Sequence, residues 1–455
     1  MTPLRLLRAA LPVVAMLAVP VRAQDVPEAK LGGGLTFSGA PTQQEIAAQQ
    51  RACEARRPPR KAAGTISEQV YRRMERIIDV IGKGQHLEAE QKLVELKDSA
   101  RGDYERAIVL QTLGFVYASA GKEAEAIKTF EQALATNALP QQVHEGMMFN
   151  IAQLYVADDK FDKGMQALNT YLQESCNPVP EAHILLASVH AEKKQWRDSL
   201  KQVDLALVKT KTPKEPWLQL KLALHYELKE YARCAEVLVV LVSMSPMKED
   251  YWKQLSGMLF EIKKDPEALA ALALAERRGF INEEHEYRNL SNMYMYMQIP
   301  LKAAAVLERG LTQKQVAPTE KNLESLANAW LVAREYDKAE VVMARAAQAS
   351  DKGELYKRLG QIQIENEKWK DALESLQKAQ KKGGLKAPGE AAFLAGVCAV
   401  QLKQWQVAEQ SLRAAMQDEK TAKMATEWLN HLQEEYAYSH PAGSEPEEPA
   451  ETKTN

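Results

Sequence analysis

The chain has 455 residues, of which 45% are hydrophobic and 26% are charged. Its 59 basic and 61 acidic residues nearly balance, so the composition does not indicate a nucleic-acid-binding protein. The sequence also contains no phosphate-binding glycine loop and no HExxH, CxxC or GxSxG motif, and we therefore expect neither catalysis nor a bound cofactor or metal.

Residues 1–23 have the pattern of a secretory signal peptide. Two arginines precede an apolar run over residues 9–21, and residues 21–23 (Val-Arg-Ala) form a small-x-small cleavage site. The apolar run is shorter than the ~20 residues that cross a bilayer, which favours cleavage before Gln24 over a retained membrane anchor. No later apolar run is long enough to span a membrane, so we expect a soluble protein of the periplasm.

Residues 24–64 lack a sustained helical pattern of apolar positions and are predicted to form a mostly extended lead-in. Within them, Thr42 and Glu45 have the spacing of a capping box, which favours a short helix over residues 42–55. A basic cluster at residues 56–61 suits either a solvated linker or a contact with nucleic acid or anionic lipid. The balanced overall charge favours the linker.

The rest of the chain is organised around one motif. It follows the tetratricopeptide pattern W-x2-L-[small]-x2-[large]…A-x3-[large]-x2-A in Trp252, Leu255, Ser256, Leu259, Ala268, Leu272 and Ala275. The spacing places each half of the pattern on one face of a helix, and Asp265-Pro266 marks the turn between the two helices. We expect an antiparallel hairpin in which Leu259 and Leu272 fill the space beside the small residues.

One such hairpin cannot bury its apolar face alone, so the motif predicts neighbours of the same kind. The small residue of the second helix recurs every 33–38 residues from Ala126 onward, in the series Ala89, Ala126, Gly164, Ser199, Cys234, Ala268, Ala303, Ala339, Ala372 and Ala408. A larger apolar residue follows four positions later in each unit, as Leu93, Phe130, Leu168, Val203, Leu238, Leu272, Leu307, Met343, Leu376 and Leu412. We therefore predict an all-α fold, a right-handed α-solenoid of about ten tetratricopeptide repeats over residues 65–418.

A further amphipathic helix follows the repeats. In residues 419–437, Met424, Trp428, Leu429 and Leu432 lie at helical spacing, which suits a capping helix over the last apolar face. Residues 438–455 contain no large apolar residue after Tyr438 and are predicted to be a disordered acidic tail.

The four cysteines fall into two classes. Cys234 occupies a small-residue position and Cys398 lies within a first helix, so both are predicted to be free thiols in the core. Cys53 and Cys176 lie outside the repeat helices, where they are either free or joined in a disulfide. A bridge between them would close a loop of 123 residues and stabilise the fold by roughly 2–4 kcal/mol.

His183 and His190 are the only residues that suggest a metal site. They lie seven positions apart on the first helix of the fourth repeat, and His190 takes the place that tyrosines hold in other repeats. Packed histidines are therefore the better interpretation.

One set of apolar residues is not required by the repeat pattern. Near the end of the first helix, consecutive later repeats carry an apolar residue at the same position, in Tyr226, Phe260, Met295, Leu331, Ile364 and Val400. If these side chains face the groove of the solenoid, they form an apolar stripe of the kind that binds a partner. If the helices are rotated slightly, the same residues pack against the preceding repeat and have no such role.

Several segments resemble a known family. These are WLQLKLALHYEL (217–228), YWKQLSGM (251–258), KAAAVLERG (302–310), EKNLESLA (320–327) and KKGGL (381–385). They are similar to the periplasmic tetratricopeptide proteins associated with TonB energy-transduction systems of Gram-negative bacteria. The resemblance implies a non-enzymatic component that works with TonB, ExbB and ExbD to drive import, typically of iron complexes, through outer-membrane receptors.

Two functions follow as hypotheses. The first is a periplasmic scaffold of a TonB system, with TonB, ExbB or ExbD among its partners. The second is a periplasmic adaptor for another envelope machine, in secretion, polysaccharide export or cell-wall assembly. An enzyme is disfavoured because no further domain remains once the repeats and tails are subtracted.

Overall fold

The computed structural model describes residues 42–57, 64–210 and 212–439. The predicted signal peptide and nearly all of the predicted acidic tail lie outside these residues. Within them the chain forms 22 α-helices and no strand, which confirms the all-α class. None of these helices is both long and apolar enough to cross a membrane.

The described residues divide into two compact units, one ending at Lys263 and the other beginning at Lys264. The described helices of the first unit are α1 (Gln43–Arg56), α2 (Glu68–Gly82), α3 (His86–Ser99), α4 (Asp103–Ser119), α5 (Glu123–Ala135), α6 (Gln141–Ala157), α7 (Phe161–Glu174), α8 (Pro180–Glu192), α9 (Trp196–Lys209), α10 (Glu215–Glu227), α11 (Tyr231–Met244) and α12 (Glu249–Glu261). Those of the second unit are α13 (Asp265–Arg277), α14 (Glu284–Tyr296), α15 (Pro300–Thr312), α16 (Glu320–Val332), α17 (Tyr336–Ala349), α18 (Glu354–Glu365), α19 (Trp369–Lys382), α20 (Pro388–Gln401), α21 (Trp405–Ala415) and α22 (Ala422–Ser439). From α2 to α21 the helices follow the ten predicted repeats in pairs.

The first helix of every repeat ends in the same way. The second residue after the helix has a positive φ, in the series Gly84, Gly121, Asp159, Lys194, Lys229, Lys263, Gln298, Arg334, Glu367 and Lys403. In the fourth repeat, the N–H of Lys194 donates to the carbonyl of Ala191 (2.9 Å) and the next N–H donates to the carbonyl of His190 (2.8 Å). This is a Schellman motif, which satisfies the last carbonyls of the helix and reverses the chain.

The two registered positions form the core of the repeats. The small residues of the series are all buried. Of the larger residues four positions later, all but Leu272 are buried. Leu259 and Leu272, which were expected to fill their hairpin, are only half-buried, and α13 contributes Leu269 to the core of its unit instead.

Small residues on the first helices explain how closely the paired helices approach. A Cβ placed on Gly114 of α4 would lie 2.4 Å from the ring of Phe130, and one placed on Gly396 of α20 would lie 2.7 Å from Cγ of Leu412. Carbon atoms in contact are normally about 3.5–4.0 Å apart. The large residue of the second helix therefore fits only because the facing position carries no side chain.

The last helix covers the end of the repeat stack in the second unit. Ala425, Leu429 and Leu432 of α22 join a core cluster with Leu412 and Ala415 of α21. Met424, which was expected on the apolar face, is exposed. The remaining contacts are those of a capping helix.

Candidate protein-interaction surfaces

The lead-in contains a helix that lies against the third and fourth repeats. Thr42 and Glu45 cap α1 as the sequence predicts, since each side chain accepts a hydrogen bond from the other residue's backbone N–H. At its start, the Gln43 side chain donates to the carbonyl of Val208, at the end of α9 (3.3 Å). No residue of α1 is buried, so apolar packing does not hold this helix in place.

A disulfide joins α1 to the loop after α7. Cys53 and Cys176 are bonded, with their Cα atoms 5.4 Å apart. Arg57, which follows α1, forms an ion pair with Glu145 of α6 (2.8 Å) and donates to the carbonyl of Glu174. The bond therefore ties the lead-in to the third repeat, and α1 is fixed by polar contacts and one covalent link.

The other two cysteines are free and buried. Burial raises the pKa of Cys234 to about 11 and that of Cys398 to about 12. Both thiols therefore stay protonated at neutral pH and are unreactive, as expected of small core residues.

The six residues of the predicted stripe differ in exposure. Tyr226 is 55% exposed and Phe260 is 41% exposed. Met295 and Leu331 are half-buried against the core of the second unit, and Ile364 is half-buried against the core of the last repeats. Val400 is only 5% exposed and belongs to that core itself. Only the two aromatic residues therefore present a large apolar surface.

Tyr226 and Phe260 lie on neighbouring first helices of the first unit. The helices α10 and α12 are linked by Tyr251, whose hydroxyl donates to Glu215 (2.5 Å) and accepts from Gln219 (2.5 Å). Each aromatic residue is the penultimate residue of its helix, so the two rings sit at equivalent heights.

The surroundings of these rings are mixed in charge. An exposed glutamate, Glu227 or Glu261, directly follows each aromatic residue. The ammonium group of Lys263 lies 5.8 Å from the ring centroid of Phe260, and the ring of Tyr231 lies 6.1 Å from that of Tyr226. The two aromatic residues thus form a small apolar surface with a charged rim.

A separate cleft opens between α4 and α6, the first helices of the second and third repeats. Its volume is about 400 Å³, and it is lined by Gln111, Phe115, Gln142, Val143, Gly146, Met147, Phe149 and Asn150. None of these residues is charged. The sequence analysis did not predict this cleft, because its residues lie at positions that the repeat pattern leaves free.

A buried ion pair connects the fourth and fifth repeats. The ammonium group of Lys221 on α10 lies 2.7 Å from the carboxylate of Asp204 on α9, and the two side chains are 2% and 4% exposed. Burial raises the pKa of Asp204, and the positive charge of Lys221 opposes that rise. In the sequence, each of these two residues stands between apolar neighbours, which marks a candidate buried charge but does not identify its partner.

The histidines of the fourth repeat each contact a glutamine. Nδ1 of His183 lies 2.8 Å from the side-chain oxygen of Gln202, and Nδ1 of His190 lies 2.7 Å from that of Gln195. Burial lowers the pKa of His183. Neither contact is with a residue type that would complete a metal site.

The repeats also match known proteins. Residues 357–420 match the family model described as a tetratricopeptide repeat. The solved structures that the chain matches include a tetratricopeptide repeat protein from Parabacteroides merdae (16% identity, 66% of this chain and all of that chain, TM-score 0.36). They also include YrrB, described as a TPR protein with an unusual peptide-binding site (15% identity, 42% of this chain and 97% of that chain, TM-score 0.34). A third is the Cut9–Hcn1 hetero-tetramer (12% identity, 86% of this chain and 87% of that chain, TM-score 0.28). The comparison with curated proteins finds no match.

The described residues form an array of helical hairpins, and the family model identifies residues 357–420 as tetratricopeptide repeats. Repeats of this kind use extended surfaces of their first helices to bind other proteins.

Proposed function

We propose that this protein is a periplasmic scaffold that binds a component of a TonB–ExbB–ExbD system and so supports energised uptake, for example of iron complexes, across the outer membrane. The repeats support the role of scaffold. The assignment to a TonB system is supported by the segments that resemble TonB-associated proteins, among them residues 217–228 and 251–258.

Two features support a periplasmic location. The first 23 residues have the pattern of an export signal, and the chain contains a disulfide between residues 123 positions apart. Structural disulfides persist in oxidising compartments such as the bacterial periplasm and are rare in the cytosol.

The observation that carries the proposal is the pair of exposed aromatic residues on adjacent helices. Tyr226 and Phe260 lie on α10 and α12, which the Tyr251 hydrogen bonds hold side by side. A partner that touches both rings must cross the two helices. Aromatic residues that become buried on binding dominate the affinity of most protein interfaces.

The test uses the purified mature protein and a double variant, Tyr226→Ser with Phe260→Ser. We expect the variant to bind the periplasmic domains of TonB or ExbD at least about 30-fold more weakly, the equivalent of roughly 2 kcal/mol. Growth on chelated iron should fall in parallel. A matched control replaces two other exposed apolar residues, Leu87→Ser with Met247→Ser, and should bind normally.

Three results would contradict the proposal. Unchanged binding and growth in the aromatic variant would place the partner surface elsewhere. An early thermal transition in that variant alone would mean that the rings support the fold. Capture of other envelope proteins, with no binding to TonB, ExbB or ExbD, would favour an adaptor for another envelope machine.

A further inference from the structure

The junction between the third and fourth repeats lacks a lysine that the next two junctions carry. At those junctions, the residue directly before the first helix pairs with a glutamate at the start of the preceding first helix. Lys214 before α10 lies 2.7 Å from the carboxylate of Glu181. Lys248 before α12 pairs in the same way with Glu215. The residue directly before α8 is Val179, an exposed side chain that cannot form such an ion pair.

An arginine from the lead-in supplies the missing charge. Glu145 of α6 and Glu215 of α10 hold equivalent positions. Each accepts a hydrogen bond from the serine 30 positions later, at 2.7 Å from Ser175 and at 2.8 Å from Ser245. The second carboxylate oxygen of Glu145 lies 2.8 Å from the guanidinium of Arg57, where Glu215 has its lysine.

This arginine is better shielded from water than the lysine of the next junction. The side chains of Arg57 and Glu145 are 24% and 17% exposed, whereas those of Lys214 and Glu181 are 55% and 47% exposed. Arg57 also donates to the carbonyl of Glu174, the last residue of α7, where a positive charge is favourable. Its removal should therefore matter more than the loss of an exposed ion pair.

Helix α1 spans the same junction. At its start, Gln43 donates to the carbonyl of Val208 in the fourth repeat (3.3 Å). Near its other end, Cys53 is bonded to Cys176, which lies between α7 and α8. None of the residues of α1 is buried, so the disulfide and the polar contacts, rather than apolar packing, hold the helix across the junction.

The disulfide is open to attack by a thiol, and the free cysteines are not. Cys53 and Cys176 are only half-buried, whereas Cys234 and Cys398 are buried. One thiolate of a dithiol reductant attacks a sulfur of the bond and forms a mixed disulfide, which the second thiolate of the reductant then displaces. Cys53 and Cys176 gain two electrons and two protons and become thiols, and the reductant leaves as a disulfide.

We propose that the Cys53–Cys176 disulfide, α1 and Arg57 form a clamp on this junction that a dithiol reductant releases. Reduction frees α1 and withdraws Arg57 from Glu145, and Val179 cannot replace the lost charge. Each repeat of a solenoid contacts mainly its neighbours, so a weakened junction lets the first three repeats open away from the fourth. The clamp makes the local stability of this region depend on the redox state of its surroundings.

The test is hydrogen exchange, measured by mass spectrometry on the full mature protein with and without dithiothreitol. Alkylation of the reduced native protein should label two of the four cysteines, since the free pair is buried. We expect peptides from residues 171–182 to exchange at least about tenfold faster after reduction. They contain the Val179 N–H, which donates to the hydroxyl of Tyr171 across the junction (3.1 Å). The junction that Lys248 bridges is the internal control and should exchange as before.

Two variants separate the charge from the covalent bond. Arg57→Met removes the charge and keeps the disulfide, so residues 171–182 should exchange faster even in the oxidised protein. Val179→Lys places a lysine directly before α8, as Lys214 and Lys248 stand before their helices, and its junction should stay protected after reduction although α1 is released. Val239→Lys is the matched control, because Val239 is another exposed valine of the same unit. It should respond to reduction as the wild type does.

Three outcomes would overturn the clamp. Unchanged exchange of residues 171–182 after reduction would show that the disulfide does not hold the junction. Equal acceleration at the junction of the fifth and sixth repeats would show that reduction acts on the repeats in general. Acceleration in Val179→Lys as large as in the wild type would show that the missing charge is not the cause. The clamp lies apart from Tyr226 and Phe260, so the result of the TonB binding test does not bear on it.

Discussion

Replacing Lys221 by methionine should destabilise the first unit by about 3–5 kcal/mol, because it leaves Asp204 buried without its ionic partner. Both side chains are more than nine-tenths buried, so water cannot compensate the lost contact. His225 and Arg233 also lower the pKa of Asp204 and remain in the variant, which favours the lower end of this range. The double variant, Lys221→Met with Asp204→Leu, should recover most of the loss, since apolar residues of similar volume often replace a buried ion pair without cost.

The loss should depend on pH in a defined direction. Burial raises the pKa of Asp204 in the native state above its value in the unfolded chain, and removing Lys221 raises it further. The native state of the variant therefore keeps its proton to a higher pH than the unfolded chain does. Stability is then lost as the pH rises through the range between the two pKa values. The difference between Lys221→Met and wild type should be largest at neutral pH and shrink on acidification.

The measurement is hydrogen exchange of the α9 and α10 amides, supported by urea unfolding followed by circular dichroism. Exchange reports the local opening free energy, which matters because stacked repeats need not unfold in one step. We expect exchange in α9 and α10 to accelerate by about two to three orders of magnitude at pH 7. The control is Lys378→Met, which removes an exposed ion pair of similar length (2.6 Å) and should cost less than about 1 kcal/mol. A loss below 1 kcal/mol for Lys221→Met, or a double variant no more stable than the single one, would refute the reasoning.

Two further predictions concern the turns and the lead-in. Gly121→Ala should lower the free energy of unfolding in urea by about 1 kcal/mol, because Gly121 has φ +70° and an added Cβ meets no atom, so that only backbone strain changes. Gly257→Ala is the control and should stabilise the protein, because Gly257 lies within a helix. Equal effects of the two substitutions would contradict this explanation. Cys53→Ser should make α1 sensitive to trypsin at Arg51 and Arg56, because α1 buries no residue and loses its covalent link, while the far-ultraviolet circular dichroism stays nearly unchanged. Continued protection of these sites would show that the polar contacts alone hold α1 in place.

The repeat fold could be predicted because the same two positions recur in every unit. A small residue and a larger one four positions later determine which faces of the helices meet, and tertiary packing then follows from their volumes. The sequence could not predict the Asp204–Lys221 pair. Its members lie on different repeats and at positions that the signature leaves open, so only the packing of α9 against α10 brings them together.

The predicted stripe shows where a pattern of positions is insufficient. Tyr226 and Val400 hold the same place in the repeat, yet the first is exposed and the second buried. The difference lies in what each residue packs against. Val400 belongs to the core cluster of the last repeats, which also contains Leu429 and Leu432 of the capping helix α22, whereas Tyr226 is exposed.

The same register positions also explain why a cleft opens in the third repeat. Gln111 and Gly146 hold positions equivalent to those of Lys357 and Glu390 in the ninth and tenth repeats. There the ammonium group of Lys357 lies 2.8 Å from the carboxylate of Glu390, which also accepts from Gln361 at 3.1 Å. That bridge pairs the polar groups that face each other across the two first helices.

In the third repeat, by contrast, Gly146 stands where the tenth repeat has a glutamate, so this bridge cannot form. The repeat pattern fixes the helices, and the residues it leaves free determine whether an ion pair bridges the surface between two first helices. Introducing the bridge should therefore close the cleft. Gln111→Lys combined with Gly146→Glu should preserve the helical spectrum, and the double variant should be more stable in urea unfolding than the sum of the two single substitutions predicts, because only the double variant can form the ion pair. Strictly additive effects of the two substitutions would show that no bridge forms between these positions.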